Sequence, residues 1–386
     1  MKFDKIKLVF ISSFLISFSY GILLTISLFF TKYLSLPISF SGEIIFMGMF
    51  GVFPAIFVIP KSYRFMSNEK IIGTGCFIYS IAIFFITNGS VFLYYFAGFL
   101  FGFGWGVIYT LGPIIVSRLS DDSDRTKNFS YISAFNMLGA GLSPVLVKYL
   151  DTYDFSMYNV YYFAFFLSLL AGFLFLFCGH NDEKENSSFE KKLSNLSFNT
   201  VVSTKAIIPM VMVFLGACIF SSMMNFQTLI ASSKNLDFSY FYISYTMTVI
   251  LCRFFLSGII NSFPKEIMIF ILLVVMTISM LLMRFVNGNL FYIIPSALLG
   301  FSYGLVYPLI QSISIKGATS ENERKNNLTV FSLCYFIGVY TFPYFFSIAV
   351  LKFGYGFSLV VLIVISLIEL LFSFLLLKNS SRNARS

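Results

Sequence analysis

Apolar residues run in long blocks along this chain, and each block ends at a short polar or glycine-containing break. A helix needs roughly 20 apolar residues to cross the hydrocarbon layer of a membrane. Twelve blocks approach or exceed that length: 8–30, 42–59, 71–87, 91–116, 129–149, 158–178, 207–229, 240–260, 267–285, 290–315, 328–351 and 357–377. The breaks carry turn chemistry, as in Asn88-Gly89-Ser90 and Asn287-Gly288-Asn289. One break differs from the rest. Residues 179–205 form a long polar loop holding the only histidine, His180, with a cluster of acids and lysines. It divides the blocks six and six. The predicted architecture is all-α and integral to a membrane, with twelve transmembrane helices in two six-helix halves. Residues 1–178 and 206–386 form the halves, and 179–205 is a linker on the cytoplasmic side.

The two halves repeat each other. Gly102-Phe103-Gly104-Trp105-Gly106-Val107-Ile108-Tyr109 in the fourth block matches Gly300-Phe301-Ser302-Tyr303-Gly304-Leu305-Val306-Tyr307 in the tenth. One residue out of step, Arg125, Asn128, Gly139 and Pro144 then match Arg324, Asn327, Gly338 and Pro343. Both copies run in the same topology, so the repeat is parallel, an arrangement known among transporters. Gly102, Gly106, Gly300 and Gly304 form G-x-x-x-G faces, which suit close helix packing. The glycines are not a nucleotide loop, because they sit inside apolar blocks and not between a strand and a helix.

Composition agrees with this pattern. The chain of 386 residues is 58% hydrophobic and only 11% charged, against about 25% charged in soluble domains. Twelve spans and short connections use nearly all of its length. The first block is too long for a signal-peptide core of about 7–15 residues, and it is expected to stay as the first helix. The net charge of +9 does not point to nucleic acid, since the basic residues sit in short loops and at the termini. Twenty of the 26 basic residues fall on one side of the twelve-span arrangement and five on the other, with Arg253 inside a span. Positive residues favour the cytoplasm. The expectation is a multi-pass protein of the plasma (inner) membrane with both termini cytoplasmic. Cys76, Cys178, Cys218, Cys252 and Cys334 lie in or beside apolar blocks without metal or disulfide spacing and read as small buried hydrophobes. No metal site and no cofactor are implied, and a monomer is expected.

Twelve spans in two halves, a charged central loop and glycine-rich fourth and tenth spans resemble the major facilitator superfamily over nearly the whole chain. Phe241-Tyr242-Ile243-Ser244-Tyr245, followed by Arg253 and Gly258, is similar to a stretch in its efflux-type members, which include arabinose-efflux-like permeases and metabolite exporters. Four departures stand out. The family's loop between spans 2 and 3 carries G-x-x-x-D-R-x-G-R-R/K; here Arg64 is kept, but Tyr63 stands at the Asp position and the Gly is absent. After span 8, Ser262 stands at the corresponding Asp position. A latch between states would need other partners, with Asp121, Asp122 and Asp124 as candidates. The span-4 Arg of drug antiporters is missing, and span 5 keeps only half of its G-x-x-x-G-P-x-x-G-G pattern around Gly139 and Pro144.

The resemblance implies that spans 1, 4, 7 and 10 line a cavity. The candidate substrate-binding residues there are Tyr20, Trp105, Tyr109, Asn225, Gln227, Tyr307 and Gln311, with Asn136 added from span 5. Polar side chains inside a membrane face a cavity or bond another helix, and for the amides both readings stay open. Ionisable residues inside spans are costly and need a reason. Arg253 and Glu369 are the two clear cases, and a contact between them is one hypothesis. Arg253 otherwise snorkels toward the headgroups. Glu43, in the first turn of span 2, either complements the helix dipole or titrates as a coupling group. With Arg64 and Arg125 these make the candidate gating or coupling set.

No nucleophile–base pair or cluster of His, Asp and Glu supports a membrane enzyme. The expected function is transport of a small organic solute by alternating access, with metabolite efflux as the favoured direction. The lipid bilayer is the solvent, and protons are a candidate coupling ion. The alternatives are a proton-linked or facilitative nutrient importer and a transport-dead sensor on the same fold. Amides and aromatics with few charges suit a neutral or zwitterionic solute.

Overall fold

The computed structural model describes residues 2–62, 65–120, 124–178, 206–256, 263–316, 318 and 321–383. Among them, eleven long helices follow the predicted blocks: α1 Lys2–Leu23, α2 Ile38–Ser62, α3 Asn68–Asn88, α4 Val91–Leu119, α5 Arg125–Thr152, α6 Met157–Phe177, α7 Ile207–Ser233, α8 Phe238–Phe255, α9 Lys265–Phe285, α10 Asn289–Ser314 and α11 Glu321–Asn383. The last spans two predicted blocks and breaks at Gly354, whose φ of 79° is open to glycine at little cost. α11 thus covers the eleventh and twelfth predicted blocks. Ten helical stretches, α11 counted as one, are long and apolar enough to cross a membrane. The eighth predicted block is described as far as residue 256, where α8 has 18 residues.

The first block is not one continuous helix. Thr25 has φ −91° and ψ 11°, and its hydroxyl donates back to the Ile22 carbonyl at 2.6 Å. The chain then passes through a π-helical turn at Phe29–Tyr33. Such wide turns gather at functional sites. Helices also begin earlier than apolarity alone indicates: α1 starts six residues before its block and α5 four.

The chain divides into two compact units, one built on α1–α6 and the other on α7–α11, with Leu36–Gly42 grouped with the second. The first unit packs mainly α1 on α5 and α6, and α3 on α4 and α6. The second packs α7 on α11, α9 on α10 and α11, and α8 on α10. Equivalent helices therefore pair in both. Close approach depends on glycine at matched places. A Cβ on Gly300 would lie 2.5 Å from the Tyr245 carbonyl oxygen of α8, and one on Gly102 would meet the Gly48 backbone of α2.

Candidate functional site

In the first unit the Tyr20 ring of α1 stacks on Trp105 of α4, with centroids 4.1 Å apart and planes at 14°. Phe101 lies parallel to Tyr20 at 6.2 Å, and the buried Tyr79 of α3 backs Phe101 at 5.3 Å. Tyr109, one turn beyond Trp105, is 37% exposed. The Ser17 hydroxyl, one turn before Tyr20, donates to Asn136 Oδ1 of α5 at 3.1 Å. The i, i+3 and i, i+4 spacings put these side chains on shared faces. Tyr20, Trp105, Tyr109 and Asn136 thus form one half-buried aromatic and amide surface across α1, α4 and α5.

The second unit carries the equivalent surface. Phe220 of α7 stacks on Tyr303 of α10 at 4.7 Å and 2°. These residues stand about 200 positions after Tyr20 and Trp105 in the repeat. Tyr307 follows one turn on and meets Tyr335 edge-to-face at 5.2 Å; Gln311 follows another turn on and is half-buried. Asn225 is buried and donates to the Ser221 carbonyl of its own helix at 2.8 Å. Gln227 is fully buried on a different face, where it donates to the Tyr292 hydroxyl of α10 and approaches Met283 Sδ at 4.0 Å. Tyr303 is the residue that the repeat matches to Trp105, whereas Phe220, which completes the stack, was not among the residues singled out from the sequence.

The gating set is spread along the chain. Glu43 accepts a hydrogen bond from the Tyr95 hydroxyl of α4. Arg253 is half-buried in the last turn of α8. Arg125 is the first residue of α5. Arg64 lies outside the described residues, as do Tyr63, Asp121, Asp122, Gly258 and Ser262. Glu369 is 1% exposed, and neither carboxyl oxygen has a hydrogen-bond partner. The two ionisable residues expected inside spans, Arg253 and Glu369, are therefore not hydrogen-bonded to each other.

Two ion pairs were not legible in the apolar pattern. Glu69, second in α3, is completely buried against Arg118 in the last turn of α4. Glu266, second in α9, meets Lys316 just beyond α10 at 2.5 Å. Each acid sits in a first turn, where the helix dipole favours negative charge. The two pairs are equivalent in the repeat, with Arg118 and Lys316 separated by the same 198 positions as Gly102 and Gly300. That spacing was the available signal.

The opposite ends differ. Lys32 pairs with Asp151 at 2.7 Å, and the Tyr33 hydroxyl donates to the same carboxylate. Lys234 instead donates to the Met283 and Arg284 carbonyls at 3.0 and 2.7 Å, capping the end of α9. Burial there, and then the nearby Arg284 charge, pull the Lys234 ammonium below the usual lysine range.

Comparison with known proteins places this arrangement. Solved transporters share the fold at low identity. A mutant form of the nucleoside transporter NupG superposes with a TM-score of 0.77 at 14% identity, covering 96% of this chain and 99% of that one. A peptide transporter, POT, in complex with sulfate, gives 0.74 at 14% identity, covering 99% and 95%. The human organic anion transporter MFSD10 (TETRAN) gives 0.69 at 12% identity, covering 96% and 99%. No curated protein sequence matches the chain. The sequence model of the Major Facilitator Superfamily matches residues 9–338; with its paired six-helix pattern and its repeated helix contacts, this chain is a membrane protein of the major facilitator superfamily.

Proposed function

We propose that this chain is a secondary transporter of a small organic solute, working by alternating access and running in the export direction. The observation that carries the reading is the matched pair of aromatic surfaces, Tyr20–Trp105 and Phe220–Tyr303, with amides beside them and no charged group in the stacks. Such surfaces bind uncharged or zwitterionic solutes through ring faces and hydrogen bonds. Relatives of the same fold are named for nucleosides, peptides and organic anions, which are small polar organics. The efflux-like stretch around Phe241 and Arg253 supports the export direction, and the distribution of positive charge supports cytoplasmic termini in the plasma membrane proposed here.

Metabolite profiling of cells with and without the protein, inside and outside, at two external pH values tests this. Export is supported if one solute accumulates in cells lacking the protein and disappears from their medium. The reverse pattern makes it an importer, and no change in any solute favours a sensor. Arg253 serves as a gate in this proposal, so Arg253→Lys should fold and lose transport. A fully active Arg253→Lys returns that residue to headgroup snorkelling.

A further inference from the structure

The second unit contains a group that its scaffold does not explain. Glu369 lies in the part of α11 beyond Gly354, buried against α7. A Cβ at Gly216 of α7 would stand 3.1 Å from Oε1 and 3.5 Å from Oε2. Glycine therefore leaves the space that the carboxyl fills. The hydroxyls one turn to either side are committed elsewhere: Ser366 donates to the Ile363 carbonyl and Ser373 to the Leu370 carbonyl, each at 2.7 Å. Of the ionisable groups on the helices packed around it, Cys218 of α7 is within electrostatic reach. The charges of α9, namely Lys265, Glu266 and Arg284, sit at its ends.

A buried carboxyl without a hydrogen-bond partner in a helix interface has two chemical uses. It holds a metal cation, or it holds a proton. A hard cation such as calcium or magnesium needs about six oxygen ligands, whereas Gly216 and Cys218 offer no side-chain oxygen. The described residues contain no group of three or more His, Cys, Asp or Glu that could hold a metal. An ionised carboxylate that is 1% exposed and accepts no hydrogen bond is poorly stabilised, so the neutral acid is the form the space accommodates.

We propose that Glu369, with Gly216 and Cys218 around it, is a proton-binding site of the second unit, and that solute movement is linked to its loading and release. One proton joins one carboxyl oxygen when α7 and α11 are closed on it, and leaves to water when they part. The first unit has no equivalent, because Leu170 stands at the matching position of α6. The coupling half of this inference rests on the transporter reading above; the proton site does not.

Infrared spectroscopy of the purified full-length protein in detergent tests the site without any transport assay. The wild type should show the carbonyl stretch of a protonated carboxylic acid, shifted in D2O and absent from Glu369→Gln. Glu369→Asp should keep an acid band at a moved frequency, and it decides the matter if the Gln variant does not fold. A band identical in wild type and both variants, or carboxylate alone from mildly acid to mildly alkaline pH, overturns the proposal. Flux of the solute found by profiling then tests coupling in vesicles. Glu369→Gln should move solute with its response to a pH gradient abolished. An unchanged response, or flux that follows sodium in place of the pH gradient, overturns the coupling. An intact Glu369 band in a protein that moves no solute would sink the transporter reading and leave the proton site standing.

Discussion

The two units are built on one plan and differ in where they put charge. Both stack an aromatic ring from their first helix on one from their fourth, and both join the start of their third helix to the end of their fourth by an acid and a cation. They part company at the last helix. In the first unit α6 is tied by hydroxyls that find partners: Ser168 meets Ser80 of α3 at 2.7 Å, and Ser19 of α1 donates to the Ala164 carbonyl at 2.9 Å. In the second unit the last helix presents Glu369 with no hydrogen-bond partner. Shared features hold helices together. The unshared acid is stabilised by nothing in the scaffold, and that is why it is read as functional.

The largest effect that would break this comparison is at the shared backbone contact. Gly300→Val forces a side chain onto the Tyr245 carbonyl and should abolish the yield of monodisperse protein. Gly112→Val, where a Cβ meets only Ile132 Cδ1 at 3.9 Å, should express normally. Equal yields would show that the helix approach is adjustable.

The ion pairs come next. Glu69 is wholly buried and Arg118 is 24% exposed, while Lys316 is 63% exposed beside Glu266. Removing one partner of a buried pair costs about 3–5 kcal/mol, whereas an exposed pair contributes about 0–1 kcal/mol. Glu69→Ala should therefore lower the thermal unfolding midpoint far more than Glu266→Ala. Comparable shifts would mean that the buried pair is hydrated.

The aromatic stacks give a smaller effect. An aromatic pair adds about 0.5–1.5 kcal/mol beyond its area. Trp105→Ala should weaken solute affinity by up to about tenfold, with Trp105→Phe recovering most of it, and Phe220→Ala should act in the same direction. Loss of function in only one unit would confine the solute to that surface. The smallest effect is expected at Glu43. Gln keeps an acceptor for the Tyr95 hydroxyl, so Glu43→Gln should leave the pH response of transport unchanged; an abolished response would move the coupling group to α2.

Several features were legible before any coordinates. Block length marked the spans, and the match between residues 102–109 and 300–307 marked the repeat. The match of Trp105 with Tyr303 pointed to equivalent aromatics. The ion pairs were missed because apolar blocks were started at 71 and 267, just after Glu69 and Glu266. A helix extends into polar residues when a neighbour neutralises them, and that neighbour is distant in sequence. Gln227 shows the same limit. Its polarity marked it as a cavity residue or a helix-bonding one, and only its contact with Tyr292 distinguishes the two.

What the chain determined alone is periodic or additive: segment length against membrane thickness, the surplus of positive charge on one side, and the two-fold repeat. These follow from transfer free energies summed along a segment, which do not depend on what lies beside it. Tertiary structure decided which polar groups are satisfied. Glu69 found Arg118, Asn136 found Ser17, and Glu369 found none, because hydrogen bonds and ion pairs act over a few ångströms between residues that the sequence places far apart.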